Sequence, residues 1–212
     1  MEKVIDKTKK NHLEETQKNI INMKSEVQQK LKLIDTDFRL TVFTKVIYTY
    51  SAIFKFVSIY ECYTDHDKAD DKDLSNLDKF IKIAFVLETF MAIDHFFKEI
   101  FKILNTEQKK HNTPPISEII KDLEKKGLID KTSENYAKFK RFKDVRNASH
   151  NNFIDIETEE LIDEAKKDVY KRVNPLIEGS LNFIKQIIYN FADKYPEYSN
   201  RKTMDPIAKL KN

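Results

Sequence analysis

The sequence is poor in the residues that break or cross-link regular structure. Among 212 residues there are 2 glycines, 5 prolines, 1 cysteine and no tryptophan. The P-loop and the dinucleotide-binding fingerprint both need closely spaced glycines, so the sequence excludes these phosphate-binding motifs. A β-sandwich or barrel of many short strands would need more turn-forming residues. A single cysteine makes no intrachain disulfide and no thiolate zinc site, which favours a reducing, cytoplasmic location.

Charge of one sign and long apolar runs are also lacking. The 38 basic and 35 acidic residues leave a net charge of +3, so any nucleic-acid contact must come from a local patch. The N-terminus has no signal-peptide pattern. Lys45 and Lys55 interrupt the most apolar stretch, residues 41–60, and we therefore expect no membrane span. Hydrophobic residues make up 40% of the chain, which is enough for a packed core.

Apolar periodicity predicts an all-α fold, an antiparallel bundle of four or five helices with a long N-terminal helix. The predicted helices span 2–34, 37–62, about 76–104, 117–126, a fifth that starts after Thr132 or Ser133 and runs to about 150, and about 159–194. We predict N-caps at Ser75 and Ser117 and a C-terminal stop at Gly127. The last helix should kink or break at Asn174–Pro175. We divide the chain into an N-terminal amphipathic helix (1–35), a helical bundle (36–195) and a flexible tail (196–212).

The N-terminal helix carries a thin apolar seam. Leu13, Ile20, Val27 and Ile34 recur every seven residues. Such a seam can pack on the protein's own bundle or on a second copy of the chain, and we favour the first. In the second case the protein would be a purely structural, dimeric helical protein.

The fifth predicted helix places an arginine on its apolar stripe. Taking about 100° per residue, Phe139 and Phe142 lie within about 40° of Arg146, and so does His150. Lys138, Lys140 and Arg141 point away from this stripe. An arginine in such a position needs either a carboxylate partner inside the bundle or a cleft or interface that holds an anion. The sequence leaves both possibilities open.

Arginine and histidine together suit phosphodiester cleavage in RNA without a metal or other cofactor. Histidine can activate the 2′-OH or protonate the leaving oxygen, and arginine can stabilise the charge that develops on the phosphorus oxygens. The competing interpretation is a structural arginine paired with Glu88 or Asp94. We expect no metal site, because no His/Asp/Glu spacing of a known metal motif occurs.

The stretch Arg146-Asn147-Ala148-Ser149-His150, late in a helix of a small all-α protein, resembles the motif of the HEPN superfamily. Three residues separate the arginine from the histidine, fewer than is usual in that superfamily. The resemblance extends in outline over residues 75–195 and implies a bundle of four or five helices. It implies a metal-independent endoribonuclease of toxin–antitoxin, abortive-infection or other defence systems, acting as a homodimer whose two motifs meet. Arg146, His150 and Asn147 would be the catalytic residues, with Asn147 positioning the loop or the phosphate.

Other members of the superfamily only bind nucleotides or a protein partner such as an antitoxin, and this remains the alternative function. The resemblance also implies a supporting polar residue from an earlier helix, for which we select Glu88 or His95 of the third helix. The basic run 138–143 contributes Lys138, Lys140, Arg141 and Lys143 as candidate RNA-binding residues, although a plain solvated face has the same pattern.

Overall fold

A computed structural model gives the fold. It describes residues 7–64, 71–105, 113–150 and 156–198, and their side chains except at 7–10, 57–64, 71–79, 150, 156–170 and 197. The described residues form helices and no strand, which confirms the predicted all-α class. The helices are α1 (Lys7–Leu31), α2 (Phe38–Thr64), α3 (Asp71–Leu104), α4 (Ile116–Lys125), α5 (Glu134–His150), α6 (Ile156–Lys194) and a 3-10 helix (Pro196–Tyr198).

Five long helices form a closed ring in the order α1, α2, α3, α5, α6, and the short α4 packs beside α3. The amide of Asn19 donates to Glu178 at 3.2 Å, and Lys185 donates to Glu26 at 3.0 Å, so α1 and α6 run parallel. A ring of five helices cannot alternate in direction all the way round. One neighbouring pair must therefore be parallel, and in this fold it is the pair of first and last helices.

The seam of α1 is buried inside this ring. Leu13, Ile20 and Val27 are fully buried in one core with residues of α2 and α6. Ile34, the last residue of the predicted seam, lies beyond the end of α1 and is 51% exposed. The seam therefore packs on the protein's own bundle and not on a second copy.

The N-caps predicted for two helices are wrong. Helix α3 begins at Asp71, so Ser75 lies inside it and is not its N-cap. The N-cap of α4 is Pro115 and not Ser117, and no side chain caps this helix end. The fixed φ of proline suits the position. The other end of α4 is as predicted: Gly127, at a φ of 65°, closes a Schellman motif in which Leu128 N–H donates to Leu123 at 2.9 Å.

Of the kink or break predicted at Asn174–Pro175, the break is wrong, since α6 continues from Ile156 to Lys194. Proline removes one backbone hydrogen bond from a helix. The flanking turns compensate because Val173, Ile177 and Leu181 are all buried in the core. Tertiary packing thus keeps the helix continuous.

The first three residues of the predicted flexible tail, 196–198, are helical. Residues 196–198 form the 3-10 helix, and the ring of Tyr198 packs 5.6 Å from that of Phe191. Residues 199–212 lie outside the described part of the chain.

Candidate functional site

Helix α5 begins where its sequence predicts. The backbone N–H of Tyr136 donates to Ser133 Oγ at 3.2 Å, so Ser133 is the N-cap. The negative charge of Glu134, in the first turn, interacts favourably with the positive end of the helix dipole. Glu134 also forms an ion pair with Lys138 at 2.7 Å. Because α5 begins at the predicted residue and is helical from its first turn, its apolar stripe consists of the residues that the sequence predicts.

Two phenylalanines anchor the stripe in the core, as predicted. Phe139 packs against Phe97 of α3 at 5.4 Å and against Phe183 of α6 at the same distance. Phe142 packs 5.9 Å from Phe90 of α3. Both anchors are buried, so they fix the direction in which the next residue of the stripe, Arg146, projects.

Helices α5 and α6 approach each other closely at a glycine. An added Cβ at Gly179 of α6 would lie 2.6 Å from the Cβ of Lys138. The aliphatic stem of Lys138 fills this space while its ammonium group pairs with Glu134. Lys138 is thus a packing residue of the α5–α6 interface as well as a surface charge.

Arg146 stands over an aromatic ring and is half-buried. Its guanidinium carbon lies 5.4 Å from the ring centroid of Phe90, within the range of a cation–π interaction. One N–H donates to Asn147 Oδ1 at 3.1 Å. In the described part of the chain, no carboxylate forms an ion pair with Arg146. The structural carboxylate pair that the sequence left open is therefore not found among these residues.

The backbone of α5 remains helical as far as His150. A separation of four residues on a continuous helix places two side chains about 40° apart and about 6 Å along the axis. Arg146 and His150 therefore belong to the same face of α5. The side chain of His150 itself lies outside the described residues.

The predicted RNA-binding residues have different surroundings. Lys140 and Arg141 are exposed, and Lys143 is half-buried. Among the described side chains these three have no ion-pair partner, whereas Lys138 is paired with Glu134. Three of the four cations are therefore available to an anion that approaches α5 from solvent.

The structure does not bring Glu88 or His95 to Arg146. Both line a groove between α2 and α3 with a volume of about 810 Å³. They lie about 160° and 140° around α3 from Phe90, on which Arg146 stands. Asp94, the other candidate partner, pairs with Lys98 at 2.5 Å. The expected supporting role of Glu88 or His95 thus lacks a geometric basis, because α3 itself separates them from the motif.

The groove has its own electrostatics. Partial desolvation lowers the pKa of His95 below its ordinary value of 6.5, and the positive charge of Lys45 lowers it further. The imidazole is therefore neutral at neutral pH. It can donate one hydrogen bond and accept another.

Sequence reasoning missed two buried polar pairs. Arg39, at the start of α2, is 1% exposed and donates from Nε and a terminal nitrogen to the two oxygens of Asp37, at 2.9 and 2.8 Å. Tyr50 donates to Asn174 Oδ1 at 2.8 Å across the core, and burial raises the pKa of the Tyr50 phenol well above its ordinary range. The spacing of Asp37 and Arg39 at the start of a helix could have indicated the first pair from the sequence. No local pattern links Tyr50 to Asn174.

The described residues contain no group of three or more His, Cys, Asp or Glu side chains placed to hold a metal ion. None of the helices, over the residues that the structure describes, is long and apolar enough to cross a membrane.

No protein-family model, curated protein or solved structure matches this chain. The resemblance to the HEPN superfamily therefore rests on the motif from Arg146 to His150 and on the all-helical fold.

Proposed function

We propose that this chain is an HEPN-like, metal-independent endoribonuclease of a bacterial defence or toxin–antitoxin system. In the proposed reaction the 2′-oxygen of a ribose attacks the adjacent phosphorus, and the bond to the 5′-oxygen of the next nucleotide breaks. His150 takes the proton of the 2′-OH or gives one to the leaving 5′-oxygen. The products carry a 2′,3′-cyclic phosphate and a 5′-OH.

The observation that carries this proposal is the environment of Arg146. A guanidinium has five N–H donors, and in the described residues only one of them is used, by Asn147. The guanidinium carbon lies 5.4 Å from the ring centroid of Phe90, and this aromatic contact uses none of the N–H donors in hydrogen bonding. An arginine held in this way, without a carboxylate, has the donors and the charge to bind a phosphate.

The neighbours of Arg146 have roles that follow from their positions. Asn147 accepts a hydrogen bond from Arg146, which orients the guanidinium, and keeps its own amide N–H groups for a phosphate or a base. Lys140, Arg141 and Lys143 on the same helix guide the RNA backbone. Lys138 contributes less, because Glu134 already neutralises it.

The test is cleavage of total RNA by the purified protein in EDTA, with analysis of the product ends. We expect cleavage with 2′,3′-cyclic phosphate ends, and a loss of at least about 100-fold in rate for His150→Ala, the size expected for a lost general acid–base. His12→Ala, a histidine substitution on α1, is the matched control and should cleave like the wild type. Cleavage that EDTA abolishes, or that His150→Ala retains in full, contradicts the proposal.

A second candidate function is a non-catalytic module that binds RNA, a nucleotide or an antitoxin-like protein partner. The short spacing between Arg146 and His150 favours it, and the same unpaired guanidinium would hold the phosphate. Fluorescence polarisation with a labelled oligoribonucleotide separates the two functions. Binding that Arg146→Ala abolishes, without cleavage by the wild type, identifies the binding module.

A further inference from the structure

A second surface of the protein has the features of an interface. Three of the five exposed large hydrophobic side chains among the described residues lie on α2 and α3: Tyr48 at 69%, Phe80 at 68% and Met91 at 58% exposure. Tyr48 and Met91 stand on opposite walls of the groove between these helices. Small and apolar residues such as Ala52, Ile53 and Ala92 line it as well.

The charges of this groove are self-complementary. Lys45 of α2 and Glu88 of α3 are exposed, and neither has an ion-pair partner among the described residues. Asp94 and Lys98, by contrast, neutralise each other. The groove therefore presents one unpaired cation on one wall and one unpaired anion on the other, with no net charge between them.

These two charges lie at different levels of the groove: Lys45 is the first residue of the α2 wall, and Glu88 is near the middle of the α3 wall, which runs from Ile81 to Lys98. The charge of Lys45 acts on His95, which places Lys45 at the His95 end. Glu88 lies seven residues from His95, about 10 Å along α3. Met91 lies between Glu88 and His95 on α3, and Tyr48 lies one turn after Lys45 on the facing wall. A second groove that faces the first after a two-fold rotation can thus match cation to anion at two symmetric points.

We propose that the groove between α2 and α3 binds a second copy of this chain in a two-fold symmetric homodimer. Lys45 of each protomer pairs with the partner's Glu88, and the exposed Tyr48 of each protomer enters the partner's groove. A two-fold interface requires such reciprocal pairs, in which one patch complements itself. The buried centre is apolar and aromatic and its rim is charged, as in stable protein interfaces.

This dimer differs from the one that the HEPN resemblance implies. Phe90 lies about 160° around α3 from Glu88, so the Arg146 motif is on the side of α3 that faces away from the groove. The two motifs of a groove dimer do not meet, and the groove contact leaves the Arg146 side of α3 uncovered. The proposal stands independently of RNA cleavage and is tested without RNA.

The experiment is sedimentation velocity of the full chain over a concentration series. The wild type should be dimeric. Lys45→Glu and Glu88→Lys should each raise the dimer dissociation constant at least about tenfold, because each places like charges together at both symmetric points. An equimolar mixture of the two variants should again dimerise, since the reversed charges then complement each other. The exposed Lys140→Glu on α5 makes the same charge change elsewhere and should dimerise like the wild type.

Three outcomes would overturn the proposal. The first is a wild type that stays monomeric at every concentration, which leaves the groove to a small apolar ligand or a different protein. The second is a dimer that neither charge reversal weakens, which places the interface on another face. The third is a mixture of the two variants that does not associate. Circular dichroism melts of each variant exclude unfolding as the cause.

Discussion

Two arginines of this bundle have opposite surroundings, and the contrast bears on what each one does. Arg39 is almost completely buried, and the carboxylate of Asp37 binds it with two hydrogen bonds. Such a paired, buried arginine is structural, because removal of either partner leaves an uncompensated charge. Arg146 is half-buried, stands over Phe90 and has no such carboxylate in the described residues. Its one hydrogen bond among the described residues is to Asn147, so its other donors are unused there.

The surroundings of Arg146 lead to a prediction for double-mutant cycles. Arg146→Ala and Glu88→Ala should destabilise the protein additively, within about 0.5 kcal/mol, because α3 separates the two side chains. Arg146→Ala and Phe90→Leu should instead show a coupling of about 0.5–1 kcal/mol, the size of a cation–π interaction. Urea denaturation of the single and double variants gives both free energies of unfolding. A larger coupling with Glu88 than with Phe90 contradicts the described geometry.

For single residues, the sequence predicts the helix face on which a side chain lies but not the residues that pack against it. The helical period alone places Arg146 on the stripe of Phe139 and Phe142, and both phenylalanines are buried as expected. What faces that stripe depends on how α3 is rotated against α5, which no local pattern determines. This is why Phe90 was not foreseen, and why Glu88 and His95 were assigned to a site from which they point away.

At the scale of elements, the contact between α5 and α6 positions the motif and depends on one glycine. Lys138 of α5 passes over Gly179 of α6, and the helices continue from there to the level of Arg146. Glycine costs about 1 kcal/mol relative to alanine inside a helix. Its presence at this position is explained by the close approach of the two helices.

Gly179→Ala should therefore destabilise the protein by about 1–3 kcal/mol, although alanine is the better helix former. The cost of overpacking at 2.6 Å outweighs the gain in helix propensity. Lys138→Ala should restore part of the loss, because it removes the stem beyond Cβ, and should by itself have a small effect. Thermal and urea denaturation measure both changes. A Gly179→Ala variant as stable as the wild type would mean that α5 and α6 are not packed this closely.

The ends of the helices show which sequence signals are sufficient to predict where a helix starts or stops. Ser133 and Gly127 act as predicted because their capping bonds are local. Pro175 did not break α6, because the buried side chains of the adjacent turns outweigh one missing hydrogen bond. Local rules succeed at Ser133 and Gly127, misplace the exposed N-cap of α4 by two residues, and fail at Pro175, where the core determines the conformation.

For the whole molecule, composition was sufficient for the fold class but not for the arrangement. Few glycines and prolines and a helical period predicted a bundle, and the structure is a ring of five helices with α1 buried against α2 and α6. The order of helices around the ring depends on contacts between distant parts of the chain, such as Tyr50 with Asn174, which pattern alone does not encode. The groove between α2 and α3 results from that order and was not predicted.

The central claim is that Arg146 binds the phosphate of an RNA that the protein cleaves. Its most direct test is the single-turnover cleavage rate of one RNA in EDTA for the wild type, Arg146→Ala and the control Arg141→Ala. We predict a loss of at least about 100-fold for Arg146→Ala, the scale of a lost charge-stabilising donor, and a loss of less than about tenfold for the exposed Arg141. Equal rates for the wild type and a folded Arg146→Ala variant would contradict the account.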